Sequence, residues 1–257
     1  MGRAPAVLTA RVAAFVVLAA ALGVYYGVHE SLWDESLWWD IAFLGFVLIP
    51  AVFALVYLVL PFWRAPTVQL FVAGVAFAAL AVVLQAAGAL TPADFAKLAA
   101  MTAIAWVFLR YFEDASWVVL VAVIVPWVDA YSVWRGPTHH IVTHRQHVFT
   151  TLSFAFPVPG ENGAAKLGLP DLLFFALFLA AAARFRLRVP WTWLGLTASV
   201  GGTMALATWL DVGGLPALPL LSLGFLLPNA DLLWARLRRK PRLGDGAEVA
   251  VDRAAHD

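Results

Sequence analysis

The stretch SWVVLVAVIVPWVDAYSVW, residues 116–134, decides the fold. Asp129 is its one charged residue, and its length matches the roughly 20 residues that an α-helix needs to cross a hydrocarbon core about 30 Å thick. A helix is required there, because lipid offers the backbone no hydrogen-bond partner and the run is too continuous for a barrel strand. Working outward, comparable runs fall near 6–28, 41–60, 67–88, 95–110, 168–184, 190–210 and 215–235. The expected fold class is therefore an all-α, polytopic transmembrane helical bundle of about eight spans. Composition agrees: 63% of the 257 residues are hydrophobic and 13% charged, far from the near-quarter charged content of a soluble domain. A net charge of +1 carries no nucleic-acid signal, and the absence of cysteine removes disulfides, thiolate nucleophiles and thiolate metal sites.

The distribution of arginine and lysine sets an orientation. Arg3, Arg11, Arg64, Arg110, Arg184, Arg186, Arg188 and the group from Arg236 to Arg253 fall on one side of the eight-span reading, which the positive-inside rule makes cytoplasmic. Both termini then lie inside. The opposite side holds Lys97, Arg135, Arg145 and Lys166 with the acidic cluster Glu30, Asp34, Glu35 and Asp40. Trp33, Trp38, Trp39, Trp191 and Trp193 suit the interfacial aromatic belt. The apolar stretch that ends at Val28 exceeds the 7–15 residues of a signal-peptide core, so it is expected to be a retained span. Three regions follow: 1–115 with four spans, 116–235 with the remaining spans and an outer loop at 135–167, and a basic tail, 236–257, expected to be disordered.

Two acids stand out. Asp129 lies late in the fifth span, where an ionised carboxylate costs at least a few kcal/mol unless paired or wetted. Asp171 opens the sixth span just after Pro170, a position that also suits an ordinary first-turn acid by proline preference and macrodipole. At 1.5 Å per residue both sit roughly 5–8 Å below the outer face. Antiparallel neighbours would bring the carboxyls to one level, and two carboxyls in contact can share a proton, the arrangement that activates water against a peptide carbonyl. The same acids could instead serve a proton or cation relay in a transporter or channel.

The chain resembles the presenilin and signal peptide peptidase family of intramembrane aspartyl proteases. Asp129-Ala-Tyr-Ser-Val-Trp resembles the segment of the first aspartate, especially in prokaryotic members. Leu167-Gly168-Leu169-Pro170-Asp171 resembles Gly-x-Gly-Asp, and Pro216-Ala217-Leu218 reproduces Pro-Ala-Leu. The three occur in order, with one helix between the second aspartate and Pro-Ala-Leu, and the resemblance covers roughly residues 116–235. It implies a presenilin-like bundle, for which nine spans are usual. It implies Asp129 and Asp171 as the catalytic pair, and Gly168, Leu169, Pro170, Pro216, Ala217 and Leu218 around the substrate. Substrates would be transmembrane peptide segments or signal-peptide remnants in a prokaryotic cell membrane, with no cofactor. The sequence departs from the family at Val128, where tyrosine is usual, and at Pro170, where glycine is usual. Proline fixes φ and deletes a donor where glycine would allow close backbone approach, so a relative that binds membrane segments without cutting them is the other reading.

Three further features complete the survey. In the outer loop, His139, His140, His144 and His147 could place three imidazoles on one helical face. With no acidic base nearby and no His-Glu-x-x-His order, solvated loop histidines are expected and a metal is not. Thr151-Leu-Ser-Phe-Ala-Phe-Pro-Val-Pro159 is a β-favouring run that could present an edge to an unwound substrate. Gly201-Gly202 predicts close helix packing in the seventh span.

Overall fold

The computed structural model describes residues 3–34, 36–135, 151–212 and 215–238. Its helices in chain order are α1 (Arg3–Val28), α2 (Leu37–Phe43), α3 (Ile49–Val59), α4 (Thr67–Ala86), α5 (Leu90–Leu109), α6 (Ala115–Arg135), α7 (Leu169–Arg184), α8 (Val189–Trp209), α9 (Leu218–Leu226) and α10 (Ala230–Arg238), with strands β1 (Ser153–Pro157) and β2 (Ala164–Gly168) before α7. Among the described residues, six helical segments are long and apolar enough to cross a membrane, the architecture of an integral membrane protein. They are Leu8–Ser31, Leu37–Arg64, Thr67–Ala86, Leu90–Leu109, Ala115–Ser132 and Leu218–Arg238.

Two expected spans do not meet those criteria, each for a visible reason. Helix α7 has 16 residues, about 24 Å of rise, and it is the central pillar of the bundle rather than a lipid-facing rod. Every residue from Phe175 to Ala182 is 0% exposed. Phe175 stacks on Phe53 of α3 with ring centroids 3.8 Å apart, and Phe178 on Phe225 of α9 at 4.9 Å. Helix α8 has 21 residues, enough to span, but threonine, serine, glycine and tryptophan dilute its hydropathy.

Prolines punctuate the rods where the sequence puts them. Pro50 has no N–H to return to the preceding turn, and Leu44–Leu48 just ahead of it widens into a π-turn joining α2 to α3. Pro61 lies in the tight turn Leu60–Arg64 that ends the α3 rod, and Pro228 in the turn between α9 and α10. At that break Asn229, fully buried, donates to the Thr192 hydroxyl at 2.8 Å and accepts from the Arg188 N–H at 3.0 Å, tying the end of α9 to the start of α8.

Glycine brings α8 and α9 into backbone contact. A Cβ on Gly195 would lie 2.4 Å from the Gly224 carbonyl oxygen. Gly201 meets Gly45 of the π-turn, where a Cβ would stand 3.2 Å from the Gly45 Cα, whereas a Cβ on Gly202 would meet nothing within 4 Å. Close packing thus belongs to Gly201 and, more tightly, to Gly195.

The structure gives the surroundings of several of these side chains. Lys97, assigned to the outer side, is buried within α5 and bonded to Asp94 at 2.9 Å. Asp40, counted in an outer acidic cluster, is buried in the first turn of α2. Trp33, Trp38, Trp39 and Trp191 are exposed as belt residues should be. Trp193 instead packs on Tyr57 and donates its indole N–H to the Phe53 carbonyl at 3.1 Å. The His139–His147 segment and the tail from Arg239 lie outside the described residues.

Arginines gather at the end of the bundle away from the β-hairpin. Arg110 donates to the Trp63 and Ala65 carbonyls at 2.8 and 2.7 Å, and Arg184 donates to the Leu109 carbonyl. Both place cationic donors on carbonyls at or just beyond helix ends.

Candidate active site

The site lies at the hairpin end and draws on three segments far apart in the chain. Asp129, half-buried on α6, follows Pro126, which lies inside that helix. Its Oδ2 accepts a hydrogen bond from the Leu218 backbone N–H at 3.1 Å. Leu218 is the first residue of α9, so the donor is one of the amides that a helix N-terminus leaves without an internal partner, and the helix dipole adds to the attraction. Pro216-Ala217-Leu218 thereby acquires a local meaning. Ala217 and Leu218 are buried, Pro219 sits in the first turn of α9, and the amide at position 218 is presented to the carboxylate.

Asp171 occupies the first turn of α7, half-buried, and the Asp129 carboxyl lies near enough to act on it electrostatically. The Gly168 backbone also bonds to the Asp171 carboxylate. A Cβ added at Gly168 would stand 3.2 Å from Asp171 Oδ2. Gly168, three residues before Asp171, is therefore a glycine whose backbone lies against that carboxylate. Pro170 is exposed in the opening turn of α7, where its missing N–H is an orphan in any case. Val128 is exposed on α6.

The hairpin delivers Gly168 and Asp171. Its strands are antiparallel with Ser153 opposite Gly168 and Pro157 opposite Ala164, and the Leu169 N–H donates to the Leu152 carbonyl at 3.1 Å, extending the pairing to the start of α7. The β-favouring run is thus a strand, but the edge it was expected to offer is taken. On β1, Ala155 donates to Asp94 Oδ2 at 3.1 Å and accepts from the Tyr26 hydroxyl at 2.9 Å. The Tyr25 hydroxyl donates to Pro157 at 2.7 Å, and Lys97 Nζ to the Ser153 carbonyl at 3.1 Å. Side chains of α1 and α5 therefore act as the missing neighbour strand. Since alternate residues face opposite edges, β2 is the strand whose outer edge runs toward Asp171.

Asp94, Lys97, Tyr25 and Tyr26 were not read from sequence as parts of this site. A signal existed: Asp94 and Lys97 are three apart in an apolar helix, and intramembrane ionisable residues usually face a partner. Among the described residues, no group of three His, Asp or Glu could hold a metal ion. In comparisons with known proteins, no protein-family model matches this chain, and neither a curated protein nor a solved structure matches it.

Proposed function

We propose that this chain is an intramembrane aspartyl protease that hydrolyses peptide bonds in transmembrane segments or signal-peptide remnants. The observation that carries the proposal is the contact between the Asp129 carboxylate and the Leu218 amide, with Asp171 in electrostatic reach of the same carboxyl. Three separate segments that each resemble a landmark of the presenilin and signal peptide peptidase family, and that converge on one corner, favour chemistry.

In this reading a water held between the two carboxyls attacks the amide carbon. The ionised member takes the water proton, and the protonated member gives its own to the carbonyl oxygen. The tetrahedral intermediate collapses as a proton passes to the leaving nitrogen, with no covalent enzyme intermediate and no metal or organic cofactor. The Leu218 amide fixes the Asp129 rotamer, and Gly168 keeps the backbone close to Asp171. An extended substrate adding to β2 would have its scissile bond carried toward the acids. The proposed topology has eight spans, with α7 and α8 completing the six apolar ones, and both termini in the cytoplasm of a prokaryotic cell.

The test uses the full chain in proteoliposomes with a fluorogenic single-span peptide. Asp129→Asn and Asp171→Asn should each lower cleavage to background, a loss of at least about 100-fold, while retaining wild-type thermal stability. Proton or cation flux that disappears in Asp129→Asn, with no peptide cut by the wild type, would replace the protease by a transporter. Undiminished cleavage in either variant would end the proposal.

A further inference from the structure

Three arginines meet at the end of the bundle away from the hairpin, and backbone carbonyls bring them together. Arg184, the last residue of α7, donates to the carbonyl of Leu109, the residue before Arg110. Arg110 in turn donates to the carbonyls of Trp63 and Ala65, which flank Arg64. The Trp63 ring centre lies 5.6 Å from the Arg64 Cζ and 5.5 Å from the Arg110 Cζ, so one indole is shared by two guanidiniums. Arg110 is also near enough to Arg184 to act on it as a like charge. The turn Leu60–Arg64, the end of α5 and the end of α7 thus deliver three cations to one place.

Like charges held together attract an anion, and the described acids do not supply it. Among the described residues, the ion pairs join Lys97 to Asp94 and Arg188 to Asp231, and none includes Arg64, Arg110 or Arg184. A guanidinium also carries more N–H donors than these carbonyls occupy. Arg110 makes both of its bonds from Nη2, and Arg184 makes its bond from Nη1. Nε of Arg110 is sealed inside the bundle without a partner, whereas Nη1 of Arg110 and Nη2 of Arg184 are unbonded and reach the surface. Outward-facing guanidinium donors match the oxygens of a phosphate, in charge-assisted bonds about twice as strong as neutral ones.

We infer that Arg64, Arg110 and Arg184 form a binding site for a phosphate group, carried by an anionic phospholipid of the adjoining leaflet. The surroundings favour a lipid as the source. Phe62, Phe108 and Tyr111, next to these arginines in the chain, are exposed, and Tyr111 with the half-buried Trp63 makes the kind of aromatic belt that sits at headgroup level. The site is more than a general excess of positive charge. Arg188, at the same end, already has both arms of its guanidinium on the Asp231 carboxylate at 2.8 and 2.7 Å, and it takes no part.

The experiment is native mass spectrometry of the full chain in detergent, titrated with dioleoyl phosphatidylglycerol and, in parallel, with dioleoylglycerol, which lacks the phosphate. The wild type should hold the phospholipid more tightly. Arg64→Gln removes an exposed cation that makes no hydrogen bond among the described residues, so it should weaken phospholipid binding without lowering Tm. Arg64→Gln combined with Arg184→Gln should weaken it about tenfold. Arg188→Gln, which removes the same charge from the same end, should bind as the wild type does. Wild-type affinity in Arg64→Gln and in the double variant would overturn the inference. So would an equal loss in Arg188→Gln, or dioleoylglycerol binding as tightly as the phospholipid. Competition with millimolar inorganic phosphate separates the sources: a lipid that stays bound supports the headgroup, and one displaced by phosphate but not by chloride keeps the phosphate site and overturns its lipid source.

Discussion

Replacing Lys97 by methionine probes how the hairpin is held, and the structure supplies the magnitude. Lys97 and Asp94 form a 2.9 Å ion pair with side chains 8% and 9% exposed. Lys97 also donates to the Ser153 carbonyl, while Asp94 accepts from the Ala155 N–H. Removing one partner of a buried pair strands the other charge, typically at a cost of about 3–5 kcal/mol. Lys166 on β2 also attracts Asp94, which places the expected loss near the lower end, about 3 kcal/mol. For a chain of this size that corresponds to a fall in Tm of about 6–12 °C. The decisive comparison is Asp94→Asn with Lys97→Met. It removes both charges, and a side-chain oxygen at 94 can still accept from Ala155, so the double variant should regain more than half of the lost stability. The assay is thermal unfolding in one fixed detergent, with peptide cleavage measured in parallel, because a loosened β1 also releases β2 and the Gly168–Asp171 geometry. If Lys97→Met lies within about 1 kcal/mol of the wild type, or if the double variant is as unstable as the single one, the hairpin does not depend on this pair.

Three other perturbations read separate parts of the argument. Gly168→Ala puts a Cβ 3.2 Å from Asp171 Oδ2; kcat for peptide cleavage should drop while Tm changes by no more than a few degrees, and unchanged kcat would show that this approach is irrelevant. Gly195→Ala, whose Cβ would stand 2.4 Å from the Gly224 carbonyl oxygen, forces α8 and α9 apart and should cost about 1–3 kcal/mol by thermal unfolding; a neutral result would mean that the two helices are not packed backbone to backbone. Cleavage by a pair of acids that must share one proton should follow a bell-shaped pH profile. Its acid limb marks loss of the ionised base and its alkaline limb loss of the protonated partner, so a rate rising through a single step to a plateau would argue against the pair.

Much of the bundle was legible because lipid as a solvent leaves few choices. A run such as residues 116–134 must be helical wherever it packs, since its backbone has no other way to satisfy its polar groups. The same reasoning placed the helical stretches, although α5 begins at Leu90 rather than 95 and the breaks between α2 and α3 and between α9 and α10 were not foreseen. It gave Lys97 a side of the bilayer but not its partner, because hydropathy is blind to an acid three residues away. Only the coordinates put the Gly168 backbone against Asp171.

What the sequence determined by itself was therefore local: which segments are helical, and which two acids sit too deep in apolar helices to pass unnoticed. Tertiary structure decided everything that depends on distance between segments. It set the Leu218 amide against Asp129 and stopped the edge of β1 with tyrosines from α1. Local signals come from the chain's own solvent and sterics, whereas a contact between residues 129 and 218 exists only once intervening helices have packed, and no short window of sequence contains that information.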